Sequence, residues 1–388
     1  MQATGQVIRI SSARDQAPIK SLQGTYTMKI VIVFHNMSFG GIQRVIAELA
    51  TGLAAAGHDL EILLTGQAGS TAYELVPSVR VRALGIARPT VGSIDSVAAN
   101  LTRVIGLRRA IADAKPDVVI AHEWRTNILV VLATRATGRH VVITEHSDPV
   151  HSSVPAVWRC LRRLIYPLAD RLVSVSHGVD RHFAWLPPGR RMVITNSIPG
   201  TWPPPTLAYG DRPNLIVGIG RLVPAKGFDL LIDAFSMCTR TFPDWRLEIW
   251  GDGPERQRLQ SRITELGVEH RVRLCGVTDR PDEVLGRAAL FVLSSRFEGF
   301  GNVLVEALAM GTPVVAAACP SGPSEIVRPG VDGLLVQPEC ADALGRAMMS
   351  LLADPAGRAT MSTHAVDARE RFSGQRFLER WIAIIEAR

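Results

Sequence analysis

A short apolar strand, a glycine turn and an amphipathic helix follow one another twice in this chain of 388 residues. The pattern first begins at Met28, where a β-branched run leads through the glycines of Ser38–Gly41 into apolar residues at helical spacing. It begins again at Leu215, after the stretch Pro199–Pro213, which is rich in proline. Strands that alternate with helices are typical of parallel sheets covered by helices. The sequence therefore predicts an α/β chain with two doubly wound domains joined by a linker.

These two starts set the expected domain boundaries. Residues 28–200 are predicted to form the first domain and residues 201–373 the second. Residues 374–388 carry apolar side chains at helical spacing and are predicted to form a terminal helix. Residues 1–27 lack the continuous apolar segment of a secretory signal, so we expect a mobile N-terminal extension, or an upstream start before Met28.

The composition narrows the class of protein. With 47% hydrophobic and 20% charged residues, the chain is typical of globular proteins that bury sizeable cores. Its apolar runs, such as Ile128–Ala133, have the length of strands, and none reaches the roughly 18 residues of a membrane span. The five cysteines are scattered without CxxC spacing, which indicates neither a disulfide framework nor a zinc site. We therefore expect a cytoplasmic protein.

The net charge of +7 is concentrated in the first half of the chain. Residues 1–200 contain 22 Lys and Arg against 13 Asp and Glu, whereas residues 201–388 contain 21 against 23. Such asymmetry favours nucleic acid, an anionic substrate or an acidic membrane surface as a partner, and ordinary surface arginines are the alternative. No recognisable nucleic-acid-reading motif accompanies the basic residues, so nucleic acid is not expected.

Two glycine-containing loops suit an anionic ligand. Gly40 and Gly41 lie between the first strand and the first helix, where free backbone amides favour an anion or a sugar oxygen, although turn geometry alone also explains the pair. The second loop, Gly218–Gly227, has Val223 in the place of the third glycine of a dinucleotide fingerprint. This difference disfavours an NAD site.

Two cations remain in the second loop. Arg221 and Lys226 lie beside a predicted helix start, where they are suited to neutralise a diphosphate leaving group. Surface salt bridges are the alternative explanation.

The segment Ser295–Ala307 carries the most specific pattern of the chain. It places Glu298 in a glycine-rich loop and Glu306 on the helix that follows. Carboxylates in a cleft accept hydrogen bonds from sugar and ribose hydroxyls, while loop amides remain free for phosphate. The pattern therefore suits a ligand that carries both hydroxyl and phosphate groups.

Taken together, these segments resemble the retaining glycosyltransferases of family 4, also called group 1. The resemblance covers the chain from about Met28 to its C-terminus and rests on Gly40–Gly41, Gly220–Gly227, Gly251–Glu255, Glu298–Glu306, Gly311–Val315, Glu325 and residues 330–335. It implies the GT-B fold, in which two Rossmann-like domains face each other across a cleft. It also implies that the first domain binds the acceptor, that the second binds the donor, and that the terminal helix crosses back to the first domain.

The resemblance implies four catalytic residues. Arg221 and Lys226 would hold the donor diphosphate, and Glu298 would lie near the hydroxyls of the transferred sugar. His146 falls where many family members place a histidine near the 6-hydroxyl of the sugar, with a structural loop histidine as the alternative. His122, at a neighbouring strand end, has a weaker claim.

The donor site implied by the family is larger than these four residues. Glu306 would bind the ribose hydroxyls, and the glycines of the first loop would approach the donor from the opposite domain. The full expected donor set is Gly40, Gly41, Gly220, Arg221, Lys226, Glu298, Gly299, Phe300, Gly301, Asn302, Val303 and Glu306.

The expected activity follows from these candidate site residues and from the family resemblance. We expect a metal-independent enzyme, because no DxD motif follows a suitable strand, and no cofactor beyond the nucleotide-sugar. It would move a hexose or N-acetylhexosamine, from a UDP-sugar rather than a GDP-sugar, to a glycan or lipid-linked acceptor of bacterial surface polysaccharide synthesis. A non-hydrolysing UDP-sugar epimerase and a nucleotide-sugar-binding protein with a decayed site are the alternatives.

Basic residues gather on two predicted helices of the first domain. A basic helix with aromatic flanks can lie on anionic lipid, which would place the protein peripherally on the inner face of the cytoplasmic membrane. A solvated basic face is the alternative. The residues concerned are Arg103, Arg108, Arg109, Arg159, Arg162 and Arg163, with Trp158 and Tyr166 among them.

Overall fold

The structure is a computed structural model that describes residues 26–38, 40–67, 71–87, 93–152, 154–200 and 202–387, with the backbone alone for residues 93–96. Except for its last two residues, the expected N-terminal extension lies outside this part of the chain. Two compact units are present. The first runs to Val175 and also contains Val179–Asn196 and the segment from Gly374, and the second contains Ser176–Gly178 and Ser197–Ser373.

The first unit contains one fully parallel sheet. Its strands are β1 (Lys29–Phe34), β2 (Asp59–Leu64), β3 (Arg80–Ala83), β4 (Val118–His122), β5 (His140–Glu145), β6 (Arg171–Ser174) and β7 (Arg191–Val193). The order across the sheet is β3-β2-β1-β4-β5-β6-β7. The order changes direction between β1 and β4, as it does in a doubly wound, Rossmann-like domain.

Helices cover this sheet and explain the apolar strand sequences. They are α1 (Gly41–Ala55), α2 (Ser93–Ala114), α3 (Trp124–Ala133), α4 (Ala156–Ile165) and α5 (His177–Arg181), the last of which begins in the second unit and ends in the first. Residues 30–33 of β1 are completely buried. Strands buried on both faces favour a continuous aliphatic run, because neither face meets water.

Two features of the first unit differ from the sequence-based expectation. The run Ile128–Ala133 has the length of a strand but lies inside α3, which packs against both α2 and α4 as well as β1, β4 and β5. Contact on so many sides makes the run apolar without strand periodicity. Strands β3 and β7 were not predicted because they are short sheet edges with little burial.

The second unit repeats the architecture with a parallel sheet of its own. Its strands are β8 (Leu215–Ile219), β9 (Arg246–Trp250), β10 (Val272–Gly276), β11 (Leu290–Leu293), β12 (Val314–Ala317) and β13 (Gly333–Val336). They are ordered β10-β9-β8-β11-β12-β13, so the direction changes between β8 and β11. Its helices are α6 (Phe228–Cys238), α7 (Arg256–Glu265), α8 (Pro281–Arg287), α9 (Asn302–Ala309), α10 (Pro323–Ile326), α11 (Ala341–Leu352), α12 (Pro355–Ala365) and α13 (Ala368–Arg371).

The last helix, α14 (Gly374–Glu386), belongs to the core of the first unit. It packs against α1, where Gly52 leaves room for the side chain of Leu378. Its apolar stripe, with Phe377 and Trp381, is buried in that core. Across the described residues, no helix combines the length and apolarity that crossing a bilayer requires.

Candidate active site

Two loops of the second unit meet at the carboxyl edge of its sheet. One follows β8, the other follows β11, and these adjacent strands flank the point where the strand order changes. Ligands of open α/β sheets bind outside the carboxyl ends of the strands at such a point. The loop after β8 ends in a short 3₁₀ turn, Pro224–Lys226, and the loop after β11 contains Glu298.

Lys226 and Glu298 are brought together by these loops. The Lys226 Nζ atom donates a hydrogen bond to Glu298 Oε1 at 2.5 Å, and Ser295 Oγ donates to the same oxygen at 2.7 Å. The side chain of Lys226 is 27% exposed and that of Glu298 11%. A cation and a carboxylate therefore lie side by side with access to solvent.

Arg221 stands apart from this pair. Its side chain is exposed, and within the described part of the chain no hydrogen bond or ion pair joins it to Lys226 or Glu298. Gly220, just before it, lies so close to Gly251 that a Cβ on Gly251 would be 1.9 Å from the Gly220 carbonyl oxygen. Glycine at 251 thus lets the two loops pack backbone to backbone.

A second set of contacts fixes one loop on the other. Ser294 Oγ donates to the Lys226 carbonyl oxygen at 2.9 Å, and the Arg296 amide donates to Ala225 O at 2.8 Å. The Arg296 guanidinium also makes two hydrogen bonds to the Asp229 carboxylate on α6, at 3.0 and 2.8 Å. These bonds lower the pKa of Asp229 although its burial opposes them. No role was predicted from the sequence for Ser294, Arg296 or Asp229.

The glycine-rich part of the second loop leads into α9. Gly301 has φ +104° at the helix start, a conformation that favours glycine. Phe300 is buried with its ring against Phe372. Asn302 and Val303 form the first turn of α9. They precede Glu306, which is 3% exposed.

Gly322 packs against the backbone of this loop. It has φ +93°, and a Cβ there would lie 1.9 Å from the Phe300 carbonyl oxygen. Nearby, Ser176 Oγ donates to the Gly299 carbonyl oxygen at 2.7 Å, and the Glu325 carboxylate accepts hydrogen bonds from two successive amides, those of His177 and Gly178. These hydrogen bonds connect Glu325, one of the residues on which the family resemblance rests, to the segment Ser176–Gly178.

In the first unit, His146 lies beside His122. His122 ends β4, and His146 follows the end of β5, its neighbour in the sheet. The distance from His122 Nδ1 to His146 Nε2 is 2.9 Å, and Thr144 Oγ1 lies 2.9 Å from the former and 3.0 Å from the latter. The register of β4 and β5 pairs His122 with Thr144. Because His146 lies two residues after Thr144, this register brings the two histidines close together.

Both histidines are neutral near pH 7. Burial lowers the pKa of His146 to about 4, and burial followed by the charge of His146 lowers the pKa of His122 well below its usual value. One ring must therefore donate the shared proton and the other accept it. Within the described residues, His146 Nδ1 and His122 Nε2 are buried without a hydrogen-bond partner.

A buried polar network lies immediately behind His146. Tyr166 Oη donates to Glu145 Oε1, and the Arg162 guanidinium lies 3.6 Å from that oxygen. Burial raises the pKa of Glu145, although Arg162 and the Tyr166 hydroxyl oppose the shift. Asn127 Nδ2 donates to the Thr144 carbonyl oxygen at 2.8 Å and to Tyr166 Oη at 3.1 Å. The network fixes the strand that leads to His146.

Two residues of the expected basic surface are part of this network. Arg162 is 6% exposed and Tyr166 1%, so neither side chain can contact a membrane. The prediction that they belong to a surface is wrong, because their polar atoms face Glu145 inside the unit. Arg159 and Arg163 are exposed.

The two glycines of the first loop lie at the start of α1. Gly40 is extended, and both its amide and its carbonyl group are hydrogen bonded to the Tyr73 hydroxyl, at 3.2 and 3.0 Å. Gly41 is exposed and begins the helix, whose first turn contains no acidic residue. The first amides of a helix have no partner within it, so this end suits an anion.

No cluster of three or more His, Cys, Asp or Glu side chains in the described ranges could hold a metal ion. Of the residues expected at the site, Arg221, Lys226, Glu298 and Glu306 lie in the second unit, and Gly40, Gly41 and His146 lie in the first.

Two family models match most of the chain. The model described as glycosyl transferase 4-like domain matches residues 40–197, and the model described as glycosyl transferases group 1 matches residues 205–367. The two matches correspond to the two units.

Two curated relatives are similar to this chain over most of its length. An exopolysaccharide phosphotransferase of Streptomyces coelicolor is 31% identical over 88% of this chain, which spans 39% of that protein. An α-1,4-N-acetyl-D-galactosaminyltransferase of Campylobacter jejuni, named for an undecaprenol-linked substrate, is 26% identical over 92% of this chain and 98% of its own length.

A solved structure shows the fold. The Anabaena protein HepE in complex with UDP and glucose superposes with a TM-score of 0.77 at 22% identity, covering 93% of this chain and 100% of that one. Together with the two Rossmann-like sheets, this likeness confirms the GT-B fold class.

Proposed function

Because the chain belongs to the group 1 glycosyltransferase family, we propose that it transfers a hexose or N-acetylhexosamine from a nucleotide-sugar, with retention of the anomeric configuration. The observation that carries this proposal is the pair of Lys226 and Glu298 at the carboxyl edge of the second sheet. A cation suits the diphosphate of the donor, and a carboxylate suits the hydroxyls of its sugar.

Charge stabilisation of the leaving group is the proposed source of catalysis. As the bond from the anomeric carbon to the diphosphate oxygen breaks, negative charge grows on the diphosphate, and Lys226 and Arg221 neutralise it. The acceptor hydroxyl forms the new bond on the same face of the sugar and gives its proton to the departing phosphate oxygen. No protein nucleophile is needed for this route.

Glu298 is proposed to change its hydrogen-bond partners when the donor binds. In the present structure, Oε1 accepts hydrogen bonds from both Lys226 and Ser295, and Oε2 has no partner within the described residues. A bound diphosphate competes for the Lys226 ammonium group, which leaves Glu298 to accept from a sugar hydroxyl. Ser295 keeps the carboxylate in place during this exchange.

His146 is proposed to contact the transferred sugar as a neutral hydrogen-bonding group. Its low pKa excludes a cationic role near pH 7. Because His122 and Thr144 occupy Nε2, the buried Nδ1 atom is the one that a sugar hydroxyl would meet. Gly41 and the start of α1 are proposed to approach the donor phosphates or sugar.

The donor and the acceptor are proposed from the relatives. UDP is favoured because the Anabaena neighbour is described with UDP and glucose. A glycan or lipid-linked acceptor in bacterial surface polysaccharide or glycoconjugate synthesis is favoured because the relatives act on exopolysaccharide and on an undecaprenol-linked glycan. Peripheral contact with an anionic membrane fits a lipid-linked acceptor.

A product assay tests the reaction type and the metal requirement together. We expect transfer to the acceptor from a UDP-hexose or UDP-N-acetylhexosamine, with unchanged rate in excess EDTA, because two cations of the chain neutralise the diphosphate. Complete loss of activity in EDTA would contradict metal independence. A changed sugar formed from donor alone would identify an epimerase, and donor binding without any product would identify a decayed site.

A further inference from the structure

His122 is completely buried, whereas His146 is partly exposed. The ring of His122 meets the ring of Phe34 edge to face, with 6.2 Å between the ring centres. His146 lies in the loop after β5, and its ring is stacked on that of His122 with 5.2 Å between the centres. The solvent side of this histidine pair therefore belongs to His146.

Three polar atoms meet between the two rings. His122 Nδ1, His146 Nε2 and Thr144 Oγ1 form a triangle with sides of 2.9, 2.9 and 3.0 Å. A neutral imidazole has one N–H donor and one bare nitrogen, so one of the two ring nitrogens in the triangle donates to the other. The Thr144 hydroxyl can donate to whichever nitrogen is bare. The two nitrogens outside the triangle, His122 Nε2 and His146 Nδ1, therefore have opposite roles.

The two possible proton arrangements differ in the place of the unpaired donor. If His146 donates to His122, an N–H remains at His122 Nε2, which has no polar partner in the part of the chain that the structure describes. If His122 donates to His146, the N–H lies instead at His146 Nδ1, on the partly exposed residue. A buried N–H without a partner is destabilising. A bound ligand can remove this cost only in the second arrangement, which is therefore favoured.

We infer that His122 is a positioning residue: its Nδ1–H donates to His146 Nε2, so that His146 presents an Nδ1–H donor to an oxygen atom of the transferred sugar. Thr144 donates to the same bare nitrogen of His146 and supports this arrangement. His122 acts only through His146 and has no contact with the sugar. The inference rests on the proposed function, because the sugar is that of the proposed donor.

Nuclear magnetic resonance measures which nitrogen of each ring carries the proton. In the full chain with isotope-labelled histidine, proton–nitrogen correlation spectra distinguish an Nδ1–H imidazole from an Nε2–H imidazole. Near pH 7 and without ligands, we expect both His122 and His146 in the Nδ1–H form. Their signals are assigned by their loss in His122→Asn and His146→Gln. An Nε2–H form of His146 in the unchanged protein would overturn the inference.

Two variants of similar size separate hydrogen bonding from packing. Leucine and asparagine both leave part of the space of the His122 ring empty, but only asparagine offers an N–H donor near the position of Nδ1. His122→Leu should lower kcat for transfer by about tenfold and allow His146 to adopt the Nε2–H form, because the donor that fixes His146 is gone. His122→Asn should keep most of kcat and the Nδ1–H form of His146. Equal kcat in the two variants, or an unchanged His146 in His122→Leu, would contradict the positioning role.

His58→Leu is the matched control for these variants. His58 is another buried histidine of the first unit, but it immediately precedes β2 and so lies at the amino edge of the sheet. Its Nδ1 atom accepts a hydrogen bond from the Met28 amide at 3.3 Å. We expect a lower melting temperature for His58→Leu, with kcat and the protonation of His146 unchanged. A loss of kcat as large as that of His122→Leu would assign the effect to packing and overturn the inference.

The spectra and the kinetics distinguish this inference from the proposed function. The spectra are recorded without donor or acceptor, so they determine the protonation of His146 even if the chain transfers no sugar. Absence of turnover in the unchanged protein would contradict the proposed transfer reaction. Normal turnover together with an Nε2–H form of His146 would overturn the positioning role of His122 and leave the transfer reaction standing.

Discussion

Lys226→Ala is expected to lower kcat for glycosyl transfer by about 100- to 1,000-fold, the usual loss when one preorganised group that stabilises transition-state charge is removed. The ammonium group lies within 2.5 Å of Glu298 and is 27% exposed, so a bound diphosphate can reach it. The melting temperature should change by only a few degrees, because partly exposed ion pairs contribute about 1 kcal/mol or less. Steady-state kinetics and thermal unfolding measure the two effects.

The control for this variant removes a cation of the same unit from another place. Arg240→Ala deletes an exposed positive charge just after α6 and should leave kcat unchanged. Near-normal turnover of Lys226→Ala would reject the role assigned to Lys226. Equal losses in both variants would indicate that overall charge, rather than contact with the leaving group, causes the effect.

Glu298→Gln is expected to lower kcat by about 100-fold, because a hydrogen bond from a sugar hydroxyl to a charged acceptor stabilises by roughly 2–3 kcal/mol. The amide fills the same space and can still accept from Ser295, so the fold should persist. It removes the negative charge that now neutralises Lys226. Turnover is measured with the same donor and acceptor as for Lys226→Ala.

Glu248→Gln provides the matched control for this carboxylate. Glu248 also lies in a partly buried ion pair, with Arg287, and its position within β9 is away from the two loops that carry Lys226 and Glu298. We expect unchanged kcat for Glu248→Gln. If Glu298→Gln is as active as Glu248→Gln, Glu298 has no part in the chemistry.

The sequence was sufficient to predict the two parallel sheets and several of their strands. Strands β1 and β4 could be predicted because helices cover both of their faces, which demands a continuous aliphatic run. The same reasoning failed for the run Ile128–Ala133, because a helix packed on several sides is equally apolar. The edge strand β3 was not predicted, because its residues are exposed or half-exposed and two of the four are arginines.

The sequence predicted those residues of the candidate site that lie within a local motif. Glu298 and Glu306 lie in one continuous segment, and Lys226 belongs to a loop at a strand end, so local spacing sufficed. The contacts of His122 with His146, and of Arg296 with Asp229, join residues far apart in the chain. Such pairs depend on strand register and loop packing, which a single sequence does not display.

The burial of Arg162 could not be predicted from the sequence of its helix alone. In sequence, Arg159, Arg162 and Arg163 form one basic group beside Trp158. The structure separates Arg162 from this group because its partner Glu145 lies on another element. Composition alone therefore predicted a basic surface but not which arginines form it.

The second unit is proposed to hold the diphosphate of a nucleotide-sugar, and stabilisation of the folded protein by nucleotides measures this binding. A ligand that binds only the folded protein raises its melting temperature. At a ligand concentration 100 times the Kd, the free energy of unfolding increases by about 2.7 kcal/mol. Thermal unfolding with UDP, GDP, ADP and their sugars should show a clear increase with UDP and its sugars, and a much smaller one in Lys226→Ala. No increase with any nucleotide would contradict donor binding by the second unit, and an equal increase in Lys226→Ala would contradict contact between Lys226 and the diphosphate.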